Sequence, residues 1–455
     1  MVDIMFLKSI LLRKGLRSDT IWANPLLLRE PFRRIPFYLD MYALSKSQYW
    51  PREKLKQLGF ERFAEIVKHA ATIPFWKERF AAAGIDPDNF HESDIARIPV
   101  LSKKDFQDRD IAEYTVPELL LKSRRYSTSG STGRPLMFYH DPAFELRSPA
   151  AFGRMFRTAG DGEHFPVIGV RKTAHFYVGD YMKYHLFYVK GYNDVRHRIR
   201  ELEKLISAFP GKVILVGLGS TMLELARVCR EFNMSFPLYC VFVSGEELRS
   251  SQRKEIEEEL HADVRTWYGV GEMLRPGAEC SHHRLHVSEE MVYFEIIDSH
   301  GTPLPPGTKG RLIVTGFENQ VMPFIRYDTG DIGVLNNDPC PCGRTLRTLE
   351  FQGRKMKLLH VGDGRTVSLL DFSAIFDTYP RAIHQFQIVR TGECAFTMRI
   401  VPGTKFDKKR TKLFAKQFKL RIHPNVAIEW ETVDFIPEGP NGKALYFIDK
   451  FETEI

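Results

Sequence analysis

The hydrophobic pattern along this chain changes period twice. Between about Ser45 and Phe106 apolar residues recur at helical spacing, over Lys54–Ala71 and again over Phe75–Ala83, with Pro74, Pro87 and Pro99 as punctuation. From Lys212 the pattern alternates. Val213–Val216 is a β-branched run closed by Gly217 and Gly219, and Ser220–Phe232 is helical with Ser220 as its N-cap. Leu238–Val243 is a second strand closed by Ser244 and Gly245. Arg249–Leu260 is again helical, and Val264–Tyr268 is a third strand. This order predicts a parallel sheet, and such sheets bind ligands beyond the carboxyl ends of their strands. Periodicity alone therefore sets Gly217–Ser220, Ser244–Glu247 and Tyr268–Glu272 beside one another.

Beyond Gly277 the chain reads as β-rich, with Val292–Ile297, a turn over Asp298–Pro306 and Gly310–Thr315. A hairpin signal at Val361–Gly364 and strand–helix alternation mark the end of the chain as a small α+β domain. The expected fold class is α/β. A large N-terminal domain with parallel and mixed sheets covers 1–352, with a helical start over about 1–110. A hinge joins it to a mobile C-terminal α+β lid over 353–455. The stretch between about 136 and 212 gives no assignable pattern.

A length of 455 residues suits two or three domains, and 43% hydrophobic with 12% aromatic residues allows a sizeable core. The net charge of +8 suits anionic ligands, but the basic residues are dispersed among acids rather than gathered in a tract. No nucleic acid is expected as a partner. No run of about 18 apolar residues occurs, so no membrane span is expected either. Met1–Arg17 has an early Asp3, an apolar stretch broken by Lys8 and no small-residue cleavage site, unlike a signal peptide. It reads as a helix packed on the main domain, with weak peripheral membrane contact as the alternative. A cytoplasmic location follows as the expectation, with the six cysteines as thiols or metal ligands rather than disulfides. Oligomerisation stays open.

The segment Tyr126–Pro135 (Tyr-Ser-Thr-Ser-Gly-Ser-Thr-Gly-Arg-Pro) is rich in hydroxyls, and Gly130 and Gly133 let its backbone approach a phosphate. It fits neither the P-loop nor the dinucleotide fingerprint. On composition alone it is equally a surface linker. The rest of the chain decides between them. This segment resembles the phosphate loop of the adenylate-forming superfamily of acyl-CoA synthetases. Tyr268-Gly-Val-Gly-Glu272, Arg326-Tyr-Asp-Thr-Gly-Asp331, Gly353-Arg354 and Pro440-Asn-Gly-Lys443 resemble that superfamily's later motifs, in the right order. Met322–Tyr327, Cys340–Arg344, Asp363–Arg365, Ile73–Lys77 and Ile98–Ser102 resemble the phenylacetate–CoA ligase branch and its capsule-biosynthesis relatives.

The resemblance implies roles for individual residues. Ser127, Thr128, Ser129, Gly130, Ser131, Thr132 and Gly133 would cradle the ATP phosphates, and Ser244, Gly245, Glu246, Tyr268 and Gly269 would line the nucleotide. Glu272 would hold magnesium, a hard cation that takes oxygen ligands. Asp331 would accept hydrogen bonds from the ribose hydroxyls, and Arg354 would help hold the nucleotide. Lys443 would bridge the carboxylate and the α-phosphate and stabilise the charge that develops there. Three departures from the pattern stand out: Gly271 replaces the usual Thr, Leu136 replaces a Lys, and Lys355-Met356-Lys357 replaces an acidic pair.

Cys340 and Cys342, with Cys280 and His286 earlier in the chain, fit a tetrahedral Cys₃His zinc site. His282 and His283 are rival ligands, and buried free thiols are the alternative reading. Four protein ligands would make such a zinc structural. Cys229, Cys240 and Cys394 sit in apolar settings expected of core residues. The chemistry implied is formation of an acyl-AMP from a carboxylic acid and ATP, then transfer of the acyl group to coenzyme A. Transfer to an amine or hydroxyl of a sugar or polysaccharide precursor is the alternative, and a non-catalytic nucleotide-binding protein is a second. Segments 168–193 and 214–220, with His175, Phe176, Tyr177, Tyr181 and Tyr184, are expected to line the acid pocket.

Overall fold

The computed structural model describes residues 34–106, 109–128, 136–159, 165–171, 184–189, 192–245, 248–273, 277–354, 359–367, 372, 375–376, 382–403, 405–437 and 446–451. Three helices open it: α1 (Arg34–Ser47), α2 (Arg52–Ala70) and α3 (Pro74–Ala82). Helix α2 buries Leu55, Gly59, Phe63, Ile66, Val67 and Ala70, the single stripe that three- and four-residue spacing produces. Pro74 starts α3 in the first turn, where a missing N–H costs nothing. Aromatic contacts dock these helices on the sheet. The Phe63 ring lies 5.7 Å from that of Phe90 and meets Tyr293 edge-on at 5.2 Å.

A hairpin of β1 (Arg124–Ser127) and β2 (Met137–His140) frames the Ser/Thr/Gly loop, and α4 (Pro142–Ala159) follows it. The stretch that gave no pattern contains α4, then β3 (Val167–Arg171), β4 (Tyr184–Tyr188) and α5 (Tyr192–Ser207). Next come β5 (Val213–Leu218), α6 (Gly219–Phe232), β6 (Leu238–Ser244), α7 (Ser250–Leu260) and β7 (Asp263–Tyr268). The expected strand–helix alternation is thus present, with one correction at the start of α6. Leu218, not Ser220, is the N-cap, and no side chain caps that end. The apolar run into Leu218 carries the strand one step further and leaves Ser220 inside the helix.

Antiparallel strands extend the same sheet: β8 (Gly277–Glu279), β9 (Leu285–Val287), β10 (Val292–Ile297), β11 (Lys309–Gly316), β12 (Tyr327–Asn336) and β13 (Thr348–Arg354). The order across the sheet is β10-β11-β12-β13-β9-β8-β7-β6-β5-β3-β4. Strand β7 is the seam: it runs parallel to β6 on one side and antiparallel to β8 on the other. The parallel strands are buried on both faces and read as continuous apolar runs, with Val213–Val216 at most 1% exposed.

The remaining strands are β14 (Leu359–Val361), β15 (Arg365–Val367), β16 (Ile383–Arg390), β17 (Ala395–Pro402), β18 (Ala427–Thr432) and β19 (Phe447–Asp449), with α8 (Lys408–Arg421) after β17. Strands β14 and β15 make the expected hairpin, and the others form a second sheet in the order β18-β17-β16-β19. This part has its own core, in which Phe372, Phe396, Phe414 and Phe418 are fully buried. It touches the larger part through α6: Arg227 donates to the His384 carbonyl at 3.1 Å, and Gln385 donates to Glu224 at 3.3 Å. Cys229 and Cys240 are buried as expected, whereas Cys394 is half-buried at the edge of the small core. No helix among the described residues is long and apolar enough to cross a membrane.

Candidate nucleotide site and cysteine cluster

The sheet seam brings the expected site residues together. Ser244 ends β6 opposite Leu218 of β5, and Tyr268 ends β7, so the loops that periodicity placed side by side are neighbours. Gly245 follows with φ +81°, a conformation that suits glycine. Gly269 is required for space, because a Cβ there would lie 2.6 Å from the Trp267 ring.

Two buried carboxylates face this region, each held by a tyrosine. The Tyr268 hydroxyl donates to Asp331 Oδ2 at 2.5 Å, and the Tyr327 hydroxyl donates to Glu272 Oε1 at 2.8 Å. Asp331 is 4% exposed and Glu272 is 7% exposed. A bulge in β12 aims Asp331. Asp328 pairs with Ile313 and Ile332 with Arg311, so β12 spends more residues than β11 over one stretch. Gly330 supplies the turn at φ +74°, its N–H donates to Asp328 Oδ1, and the Asp331 N–H donates to Thr329 Oγ1. The Thr-Gly pair of this motif is thus a device for pointing the following carboxylate.

Tyr327 is fixed from the other side. Arg326, 1% exposed and at φ +49°, ion-pairs with Glu295 and donates to the carbonyls of Ala96 and Ile98. Its own carbonyl accepts the Leu101 N–H, so the Ile98–Ser102 segment pins the start of β12. Sequence reasoning quoted Tyr327 within a motif and gave it no role.

At the hairpin, Thr128 closes the neck of the loop: its N–H donates to the Leu136 carbonyl, and its Oγ1 accepts the Leu136 N–H, both at 2.9 Å. Ser127 ends β1 and is exposed. Ser129, Gly130, Ser131, Thr132 and Gly133 lie outside the described residues, as do Glu246 and Lys443. Arg354 pairs with Asp331 across β12 and β13, and its side chain lies outside the described set. Of the expected acid-pocket residues, 172–183 are likewise outside it. So is Met1–Arg17.

The second constellation is Cys280, His286, Cys340 and Cys342, whose ligand atoms all lie within 4.8 Å of one another. Cys280 Sγ is 3.7 Å from Cys340 Sγ, and Cys342 Sγ is 3.2 Å from His286 Nε2. Sulfur ligands about 2.3 Å from a tetrahedral zinc would stand about 3.8 Å apart, close to the spacing here. His286 Nδ1 donates to the Leu346 carbonyl at 3.0 Å, which leaves Nε2 as the ligand atom. Among the rivals, His283 turns away to Asp263 and Arg253, and His282 is exposed. Burial opposes the Cys280 thiolate, but the His286 ring and nearby backbone N–H groups outweigh it and hold its pKa at about 5. Burial pushes Cys340 up to about 12, with its neighbouring thiols adding to the shift. Crowded thiols cannot all ionise without a cation among them.

Comparison with known proteins points the same way. The family model of the CapK C-terminal domain matches residues 359–450. A phenylacetate–coenzyme A ligase of Thermus thermophilus is 27% identical over 367 residues, covering 74% of this chain and 79% of that protein. The protein CapK of Staphylococcus aureus is 22% identical over 419 residues, 88% of this chain and 89% of CapK. Among solved structures, 2-hydroxyisobutyryl-CoA ligase in the postadenylation state matches at TM-score 0.73 and 22% identity, over 90% of this chain and 94% of its own. Motifs, fold and relatives thus agree in their likeness to the adenylate-forming superfamily, and within it to the phenylacetate–CoA ligases and CapK.

Proposed function

We propose that this protein activates a carboxylic acid with ATP and passes the acyl group to coenzyme A. The acid's oxygen attacks the α-phosphorus, an O–P bond forms, and the bond to pyrophosphate breaks. The coenzyme A thiol then attacks the acyl carbon, AMP leaves, and the thiol proton goes to solvent. The observation that carries this reading is the pair of tyrosine-held carboxylates, Asp331 on β12 and Glu272 in the loop after β7, the latter next to Gly271, which the hairpin of the Ser/Thr/Gly loop contacts. Asp331 suits ribose hydroxyls, and Glu272 suits the magnesium that accompanies ATP. Lys443 and Arg354 complete the site from the C-terminal side, with residues 353–455 as a lid. The Cys₃His cluster holds a structural zinc.

The test is acid-dependent pyrophosphate exchange across a library of carboxylic acids, with and without coenzyme A. Exchange with at least one acid, and thioester formation when coenzyme A is added, is the expected result. No exchange with any acid sinks the adenylating reading. The resemblance to capsule-biosynthesis proteins leaves a second acceptor class, an amine or hydroxyl of a sugar or polysaccharide precursor. Exchange without any thioester would select that class. A smaller effect isolates the Glu272 clamp. Tyr327→Phe removes one hydrogen bond to a carboxylate, a loss of about 1.5 kcal/mol or more. The KM for Mg-ATP should rise about tenfold with the melting temperature nearly unchanged, as steady-state kinetics at varied magnesium will show.

A further inference from the structure

A buried polar chain connects the loop hairpin to the segment carrying Glu272, and no motif accounts for it. His140, at the end of β2 and 8% exposed, stands at its centre. Its Nδ1 is 3.0 Å from Glu145 Oε1, and its Nε2 is 3.1 Å from the Gly271 carbonyl oxygen. Glu145, on the first turn of α4, also accepts from the Tyr126 hydroxyl at 2.8 Å, and Arg124 lies 3.8 Å from its other oxygen. Burial works to raise the Glu145 carboxyl, but donation from His140 and Tyr126 outweighs it and holds the pKa below the ordinary carboxylate value. An ionised carboxylate and a backbone carbonyl can only accept. Each ring nitrogen thus faces a group that accepts a hydrogen bond.

Three rings hold the imidazole in place: Tyr126 at 4.6 Å, Phe138 at 5.2 Å and Phe144 at 4.2 Å between centroids. The other end of the chain is the residue where this protein departs from its superfamily. Gly271 replaces the usual threonine, and a Cβ there would lie 3.3 Å from Phe138 Cζ. Strand β2 therefore crowds the space a side chain at 271 would take, and its His140 takes hold of the backbone instead.

We infer that His140 is a positioning residue for the nucleotide site. Its ring ties the hairpin that frames the Ser/Thr/Gly loop to the carbonyl beside Glu272, so that hairpin strand and carboxylate keep one fixed spacing. Tyr327 fixes Glu272 through its side chain, and His140 fixes it through the main chain. The kinetic readout rests on the adenylating function proposed above, whereas the geometry of the tie does not.

Two substitutions divide the ring's two bonds. An asparagine amide reaches roughly where Nδ1 stands, and a glutamine amide roughly where Nε2 stands. His140→Asn should keep the bond to Glu145 and lose Gly271. His140→Gln should keep Gly271 and lose Glu145. The expected result is a fall of up to about tenfold in kcat/KM for Mg-ATP in His140→Asn, the upper effect of one lost hydrogen bond. His140→Gln should stay within about threefold of the parent, a margin below that one-bond effect. Hydrogen–deuterium exchange supplies a readout independent of activity. The Met273 N–H, bonded to the Val270 carbonyl at 3.1 Å, should exchange faster in His140→Asn alone. Equal losses in both variants, or none in either, with matching exchange at Met273, would overturn the role. If the parent shows no pyrophosphate exchange with any acid, the adenylating reading fails, and the Met273 comparison still decides the tie.

Discussion

Lys443→Ala is expected to lower acid-dependent pyrophosphate exchange by about 10²–10³-fold, the range for removing one preorganised group that meets developing charge. ATP should still bind within a few-fold of the parent. The asymmetry follows from where negative charge appears. On the proposed reading the phosphates of bound ATP would already be matched by magnesium and by the hydroxyl and amide donors of the Ser/Thr/Gly loop. As the acid's oxygen attacks, charge moves from the carboxylate onto the α-phosphate oxygens and the leaving pyrophosphate, and a lysine bridging carboxylate and α-phosphate would gain most at that moment. A group that stabilises the transition state more than the ground state changes kcat rather than affinity. Asp331→Ala should do the reverse. It removes the proposed ribose contact and leaves the Tyr268 hydroxyl without its 2.5 Å acceptor, so ATP affinity should fall first. Exchange kinetics beside calorimetric titration of ATP separate the two patterns, and undiminished exchange by Lys443→Ala would remove that lysine from the chemistry.

Cys280→Ser is expected to empty the cysteine cluster of metal and to lower the melting temperature by about 10 °C. Zinc binding is worth about 10–16 kcal/mol to small zinc domains, and even a third of that shifts melting by this much in a large domain. The reason lies in how little else ties that region together. Strands β8 and β9 are short, and β9 meets β13 through the single pair Thr348 and His286. Cys280 follows β8, His286 lies on β9, and Cys340 and Cys342 stand in the loop between β12 and β13. A metal held by all four would staple the sheet where its hydrogen bonding is thinnest. Elemental analysis should find about one zinc per chain in the parent, as four ligands per site imply, and almost none in Cys280→Ser. His282→Ala and His283→Ala should keep the metal. A metal-free parent that melts unchanged after exhaustive chelation would eliminate the zinc.

Much of the site's location could be read from periodicity, because the strands that carry it are buried on both faces. The expected Leu238–Val243 and Val264–Tyr268 each differ from the structure by one residue at one end. Buried parallel strands print an apolar run that needs no context. The stretch between 136 and 212 was only partly legible. Strands β3 and β4 are too short to show a period, whereas α5 does carry a helical stripe of Val195, Ile199, Leu202 and Ile206, all buried, that went unread. The Ser220 cap failed because strand and helix meet there without a turn. His140 carried no signal of its own, since its partners Glu145 and Gly271 become neighbours only when β2 and the end of β7 are packed together. The choice among His282, His283 and His286 likewise required the fold, which leaves His282 and His283 exposed in the turn between β8 and β9 and buries His286 on β9.

The seam at β7 has a bearing on how such proteins diversify. The two carboxylates proposed to serve the nucleotide, Glu272 and Asp331, are anchored at or beyond the seam, where β12 and its bulge are locked by neighbours on both sides. The opposite margin ends in β4, which among the described residues pairs only with β3. A terminal strand can change its length, tilt or side chains without shifting the register of any strand beneath it. Descendants of one ancestral chain could thus exchange acid preferences at that margin, generation by generation, while inheriting the nucleotide half intact.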